Sequence, residues 1–145
     1  MNWSKKLSDI NILEKVNFKE LKELNLFDNN ILDIKVLEKV KFEKLEILYL
    51  GFNNISNIDI LEHTNFKQLK ELDLSHNNIL DIKVLEKVKF EKLEILYLTE
   101  NEISNINILE NANFKVLKEL KVHDNDISDI KVLKIVKFEK LEKLD

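Results

Sequence analysis

The chain has 145 residues, of which 44% are hydrophobic and 34% charged, and this composition suits one folded domain with a sizeable core. A net charge of −4 and a complete lack of arginine argue against nucleic acid as a partner, because arginine makes the bidentate contacts to phosphate and guanine. The lack of cysteine excludes disulfide bonds, and the N-terminal residues show no apolar run typical of a signal peptide or a membrane span, so we expect a cytoplasmic protein without membrane contact.

The chain is built from a 24-residue repeat. Each unit contains one asparagine behind the same frame of leucines, and these asparagines are Asn29, Asn53, Asn77, Asn101 and Asn125. A period of this length indicates a solenoid, in which each unit packs only on its neighbours. Numbering positions 1 to 24 from Leu21 gives a single domain, 1–145, with a partial first unit 1–20, repeats 21–44, 45–68, 69–92, 93–116 and 117–140, and a truncated last unit 141–145.

Each repeat opens with a predicted short strand. The leucines at positions 4 and 6, such as Leu48 and Leu50, have a period of two and therefore lie on one face of the strand. Positions 3, 5 and 7 then lie on the opposite face. Successive strands must pair side by side, so we expect a parallel sheet with strands about 4.8 Å apart.

The rest of each repeat contains a turn, a short helical segment and a phenylalanine. The asparagine at position 9 can donate and accept hydrogen bonds in a buried turn, so a structural asparagine ladder is expected. At position 13 the chain carries candidate helix N-caps, namely Asp33, Asn57, Asp81, Asn105 and Asp129. Position 22 is always phenylalanine, and we predict that all six pack in the core: Phe18, Phe42, Phe66, Phe90, Phe114 and Phe138.

The pattern LxxLxLxxNxI occurs five times in register and resembles that of the leucine-rich repeat family. Its continuation IxxIxxL, as in Ile55, Ile58 and Leu61, is similar to the subclass typified by the protein phosphatase 1 regulatory subunit. Repeats of that subclass are usually about 22 residues long, and those of this chain are longer around Val40 and Phe42. The resemblance implies an α/β solenoid, a curved right-handed superhelix with a parallel sheet on the concave face and short helical turns on the convex face. It also implies protein binding without catalysis.

A second period of 48 residues is superimposed on the first, because residues 29–50 and 77–98 are identical. Even repeats place isoleucine and tyrosine on the exposed strand face, and odd repeats place mainly charged residues there. No cofactor or metal site is predicted, since His63, His76 and His123 are too far apart in the repeat frame to share an ion. With a single glycine in the chain, a phosphate-binding loop is excluded.

The candidate partner-binding residues occupy the columns that vary between repeats. An apolar and aromatic cluster with a charged rim is typical of a protein interface. The expected cluster comprises Phe27, Ile47, Tyr49 and Phe52, and the expected rim comprises Asp28, Glu71 and Asp73. The complete predicted surface is Phe27, Ile47, Tyr49, Phe52, Asp73, His76, Ile95, Tyr97 and Lys121. The alternative is that these are the scattered aromatics that any sheet surface exposes.

Neither end of the sequence has a recognisable capping repeat. We expect only the stub of a strand around Trp3, and the last strand is cut short at Asp145. Two explanations stay open: the chain is a piece of a longer array, or its open ends stack head to tail in a homo-oligomer. The main hypothesis is a module that is not an enzyme and binds a protein or peptide on its concave sheet. A self-assembling structural solenoid and a recognition fragment of a larger regulator or enzyme are the alternatives.

Overall fold

The structure is a computed structural model that describes residues 6–145, so the strand stub expected around Trp3 lies outside the described residues. Within this range six strands form one parallel sheet, in the same order as in the chain. The strands are β1 (Glu23–Asn25), β2 (Ile47–Tyr49), β3 (Glu71–Asp73), β4 (Ile95–Tyr97), β5 (Glu119–Lys121) and β6 (Lys143–Leu144).

The register of the sheet follows directly from the repeat length. Paired residues are 24 positions apart, as Leu48 is with Leu72. The ladder continues past the short strands, since the backbone N–H of Leu50 donates to the carbonyl of Asp73 at 2.8 Å. Leu48 is fully buried, whereas Ile47 and Tyr49 on either side of it are partly exposed. The predicted alternation is therefore confirmed in β2 and β4, whereas Asp73 of β3 and Glu119 of β5 are buried on the face that was expected to be open.

A short 3-10 helix precedes each strand. These are η1 (Asn11–Lys15), η2 (Lys35–Glu38), η3 (Asp59–His63), η4 (Lys83–Glu86), η5 (Asn107–Glu110) and η6 (Lys131–Lys134). The predicted N-cap was wrong by one residue, because the N-cap of η2 is Ile34, which makes no side-chain capping bond. Asp33 still stabilises the turn, since its Oδ1 accepts a hydrogen bond from the backbone N–H of Lys35 at 2.8 Å.

The predicted asparagine ladder is present, and each amide joins two successive turns. Asn77 donates to the carbonyls of Leu50, Leu74 and Ser75 at 3.0 to 3.1 Å. Its side-chain oxygen accepts the backbone N–H of Ile55 at 2.9 Å. The amide thus satisfies four backbone groups that have little or no access to water, which explains why the turn column requires asparagine.

The core is continuous through the inner repeats and thins at both ends. Phe42, Phe66, Phe90 and Phe114 are buried, which confirms the prediction for these four. The prediction was wrong for Phe18, which is 50% exposed, and Phe138 is only partly buried. Ile130 is also exposed although its column is otherwise buried. A side chain in a solenoid is covered by the turn before it and the turn after it, so the outermost described turns bury less of the same residues.

Candidate protein-binding surface

The outward side of the six strands, called the sheet face below, carries positions 3 and 5 of each repeat. The register places Tyr49 next to Asp73, Asp73 next to Tyr97, and Tyr97 next to Lys121. In the parallel column, residues lie side by side in the order Glu23, Ile47, Glu71, Ile95 and Glu119. Each tyrosine therefore has carboxylates on the neighbouring strands.

Two exposed phenylalanine rings and one half-buried histidine ring form a row along the turns that follow β1, β2 and β3. The rings of Phe27 and Phe52 are tilted against each other with centroids 5.0 Å apart. The ring of Phe52 also stacks on that of His76 at 3.6 Å, and His76 Nδ1 lies 2.8 Å from a carboxylate oxygen of Glu100. This set of Phe27, Phe52 and His76 is called the ring row below. It is a continuous aromatic strip that ends at an acidic residue.

The residue at position 8 of each turn has a left-handed backbone. The φ angles of this column lie between 50° and 54°, at Asp28, Phe52, His76, Glu100 and Asp124. Aspartate and histidine are among the residues that tolerate this conformation, whereas phenylalanine rarely adopts it. The backbone under Phe52 is therefore strained, and the turn itself would be better served by a small polar residue.

Tyr97 is enclosed by its own chain. Its hydroxyl donates to Glu119 at 3.2 Å, and Lys121 Nζ lies 4.6 Å from the centre of its ring. Burial, followed by the charge of Glu119, raises the pKa of Tyr97 to about 12. Hydrogen bonding to Lys143 in turn holds the pKa of Glu119 below its usual value. Glu119 organises this cluster, and it was missing from the predicted binding residues because nothing in its column marks it apart from Glu71.

Asp73 does not have the exposure of a rim residue. It is 8% exposed, and its Oδ1 accepts hydrogen bonds from the backbone N–H and the hydroxyl of Ser75. Gly51 makes room for this carboxylate, because a Cβ at Gly51 would lie 3.0 Å from Asp73 Oδ2. The single glycine of the chain is thus needed for space and not for a special backbone angle.

The 48-residue alternation extends beyond the sheet face to position 2. There lysine and glutamate alternate through the chain, at Lys22, Glu46, Lys70, Glu94, Lys118 and Glu142. Glu46 lies 2.6 Å from Lys70 and 3.5 Å from Lys22, and Glu94 lies 2.6 Å from Lys118. Hydrogen bonding to Lys70 holds the pKa of Glu46 below its usual value. This position-2 ladder, whose residues directly precede the strands, gives the alternation a structural role, because like charges on adjacent repeats would repel.

The side that carries the 3-10 helices has shallow grooves instead of rings. One groove is lined by Leu32, Glu38 and His63 among others, and a smaller one lies beside Leu80. Both occur where an exposed leucine stands next to the following repeat, so they are products of the repeat geometry. Residues 6–145 contain no group of three or more His, Asp or Glu side chains that could hold a metal ion. No helix in the same range is long and apolar enough to cross a membrane.

The predicted binding residues fall into three groups. In the ring row Phe52 contacts both Phe27 and His76, and on the sheet face Tyr97 contacts Lys121. On β2, β3 and β4 the register pairs Tyr49 with Asp73, whereas Glu71 separates Ile47 from Ile95. The contact between Phe52 and His76 could not be predicted, because it depends on the left-handed turn that directs both rings along the same edge.

Three overlapping segments, residues 19–63, 43–87 and 67–111, match the family model described as Leucine Rich repeats (2 copies). Among solved structures, an internalin (inlF) from Listeria monocytogenes matches over 97% of this chain and 38% of its own, with 27% identity and a TM-score of 0.80. Internalin C2 from the same organism matches over 96% of this chain and 56% of its own, with 28% identity and a TM-score of 0.76. No curated protein matches the chain.

A third similar structure is the TLR13–ssRNA13 complex, with 27% identity over 86% of this chain and 18% of that one, and a TM-score of 0.69. The chain thus spans less than two thirds of each of these proteins. The similarity shows a curved solenoid in which the sheet face is concave and the 3-10 helices lie on the convex side. The narrower resemblance to the protein phosphatase 1 regulatory subunit is untested and stays a prediction. Proteins built from such repeats generally act as interaction modules, and with the family model matching well over half of its length, this chain belongs to the leucine-rich repeat family.

Proposed function

We propose that the protein binds a protein or peptide segment along its concave sheet, without catalysis. The observation that carries this proposal is the ring row, since three contacting rings remain at the surface instead of joining the core. Contiguous exposed aromatics beside charged residues are characteristic of protein interfaces. Tyr49, Tyr97 and the isoleucines of β2 and β4 extend this surface across the sheet.

Strain at Phe52 supports a role in binding. Its side chain is 43% exposed while its backbone adopts φ 54°, so the residue contributes little to the core and costs stability in the turn. Asp28 and Asp124 in the same column are of a type that tolerates this conformation, and neither exposes a ring. The ring of Phe52 is therefore best explained by a contact made outside the chain.

Charge favours a polypeptide over RNA as the partner. TLR13 is a family relative in complex with ssRNA13, but the strand positions of this chain's concave face carry Glu23, Glu71, Asp73 and Glu119 against Lys121 and Lys143. A net negative face repels phosphates, and RNA binding depends on their neutralisation. The cytoplasmic location and the head-to-tail homo-oligomer stay predictions, as does the recognition fragment of a larger regulator or enzyme.

The proposal can be tested with peptides selected from a random phage-displayed library on the wild-type protein and then measured by calorimetry. We expect Phe27→Ser with Phe52→Asn, and separately Tyr49→Ala with Tyr97→Ala, to weaken binding at least about tenfold. Leu32→Ser with Leu80→Ser is the matched control, because these leucines are more exposed than the phenylalanines and line the convex grooves.

The control variant should bind as the wild type does, and single-stranded oligouridine should not bind. Circular dichroism spectra would establish that each variant is folded. Equal binding by the wild type and both concave variants, or a loss confined to the Leu32 and Leu80 variant, would show that the concave assignment is wrong.

A further inference from the structure

Tyr49 and Tyr97 belong to identical segments but face different neighbours. The sequence is the same from Asn29 to Leu50 and from Asn77 to Leu98, so any difference between the two tyrosines comes from the adjoining repeats. Beside Tyr97 the next strand supplies Lys121, whose ammonium lies over the ring. Beside Tyr49 the next strand supplies Asp73. From the following strand the chain thus provides a cation for Tyr97 and a carboxylate for Tyr49, and Asp73 also flanks Tyr97 from the preceding strand.

The second carboxylate near each tyrosine is equivalent. Glu119 accepts the hydrogen bond of Tyr97 and lies 3.4 Å from Lys121 Nζ, so the cluster at Tyr97 combines a ring, a carboxylate and an ammonium group. Glu71 occupies the same register position beside Tyr49. Positions 3 and 5 of β1 to β4 contain no lysine. The arrangement at Tyr49 thus has the ring and two carboxylates, and it lacks the cation.

One carboxylate oxygen of Asp73 remains available for a further hydrogen bond. Its Oδ1 is fixed by Ser75, whereas Oδ2 takes part in none of the hydrogen bonds found among residues 6–145. Every fully buried side-chain N or O atom in that range has a partner, so Oδ2 must reach the surface. Gly51 keeps the space over this carboxylate open, and the corresponding residue beside Lys121 is Thr99. The carboxylate is positioned, largely buried and free to accept one more donor.

We propose that Tyr49, Glu71 and Asp73 form a site for the cationic side chain, lysine or arginine, of the bound polypeptide. The ring face attracts a cation, and the two carboxylates accept its hydrogen bonds. Lys121 on Tyr97 is the internal counterpart of this contact. Burial, followed by the interaction with the Glu71 side chain, also raises the pKa of Tyr49, so its phenol stays neutral. The inference rests on the proposed function and specifies the chemistry of the partner.

The test uses the fact that Tyr49 and Tyr97 are the only tyrosines. Protein with ¹³C-labelled tyrosine gives one set of ring signals for each, and single Tyr→Phe variants assign them. The probes are the capped pentapeptide Gly-Ser-Lys-Ser-Gly and its arginine and norleucine analogues at millimolar concentration. We expect the lysine and arginine peptides to shift the Tyr49 signals saturably, with Tyr97 and the norleucine peptide as silent controls.

Reciprocal variants exchange the two environments. Asp73→Lys should fill the Tyr49 site from within the chain and abolish the response, and Lys121→Asp should make Tyr97 respond as well. Asp73→Asn keeps the acceptor for Ser75. It should weaken the affinity of the basic peptides, measured from the Tyr49 signals, about tenfold, which is the effect of losing a hydrogen bond to a charged group.

A Tyr49 signal that ignores both basic peptides, or that moves equally with norleucine, would overturn the cation site. The proposal of binding on the concave sheet would then be tested separately, by the affinities of the selected peptides for the wild type and the variants. If the Phe27 and Phe52 variant loses peptide binding while the Tyr49 signals stay unchanged, the concave binding surface is supported. Only the proposal that the partner inserts a basic side chain beside Tyr49 is then wrong.

Discussion

Segments 29–50 and 77–98 have one sequence in two environments, and the structure separates what the sequence determines alone from what the neighbours add. Phe42 and Phe90 are equally buried, and the distances from Glu46 to Lys70 and from Glu94 to Lys118 are the same. The segments differ where the adjoining repeats differ, as at their tyrosines. In this solenoid identical sequences give identical core packing, whereas the contacts of a surface residue depend on which repeats lie next to it.

The largest effect is expected in the core, where the two segments should behave alike. Phe42→Ala and Phe90→Ala should each lower the free energy of unfolding by about 3 to 5 kcal/mol, because both remove a buried ring and leave a cavity. Urea unfolding followed by circular dichroism measures both. Phe18→Ala, at a half-exposed ring, should cost much less. Clearly unequal costs for Phe42 and Phe90 would break the equivalence of the two interiors.

The asparagine ladder should separate the segments by a smaller amount. Asn77→Ala should cost about 3 kcal/mol, because it leaves backbone groups without partners in a buried turn. Asn29 is more exposed and accepts from the backbone N–H of Leu7 at 2.7 Å, so water can replace part of what its amide provides. Asn29→Ala should therefore cost less. If both variants lose the same free energy of unfolding in urea, burial does not determine how much this amide stabilises the fold.

The smallest effect concerns the ionisation of the tyrosines. The pKa of Tyr97 is about 12, against 10.0 for the free side chain, and that of Tyr49 is also raised. The folded state therefore holds these protons more tightly than the unfolded state. Their contribution to stability is complete below pH 10 and is lost as the pH rises toward 12.

Absorbance at the phenolate band during an alkaline titration measures both groups, and Tyr97→Phe and Tyr49→Phe separate their contributions. Tyr97→Phe should remove the component that titrates near pH 12. Lys121→Asp should raise the pKa of Tyr97 further, because a carboxylate replaces the ammonium over its ring. Ionisation of Tyr97 near pH 10 in the folded protein would contradict the enclosed geometry around Glu119.

The repeat frame predicts the interior well because its period fixes both the face and the register of each residue. Leu48 and Asn77 lie where their columns place them. Phe18 was mispredicted because a column does not state how much the neighbouring turns cover. At the candidate site the burial of Asp73 was missed, since it depends on space left by Gly51 in the preceding repeat. Both errors arise because burial depends on contacts between adjacent repeats, whereas the residue type at one repeat position does not specify those contacts.

The position-2 ladder limits how an array of this kind can change its length. Removing one repeat, such as 69–92, would delete Lys70 and bring Glu46 directly beside Glu94. Removing or inserting two repeats together would keep opposite charges adjacent throughout. Recombination between similar repeats therefore preserves the alternation of lysine and glutamate only when an even number of repeats is gained or lost. Exchanges in units of 48 residues preserve the ladder, and exchanges of 24 residues place two like charges side by side. The identical segments 29–50 and 77–98 are separated by the permitted unit.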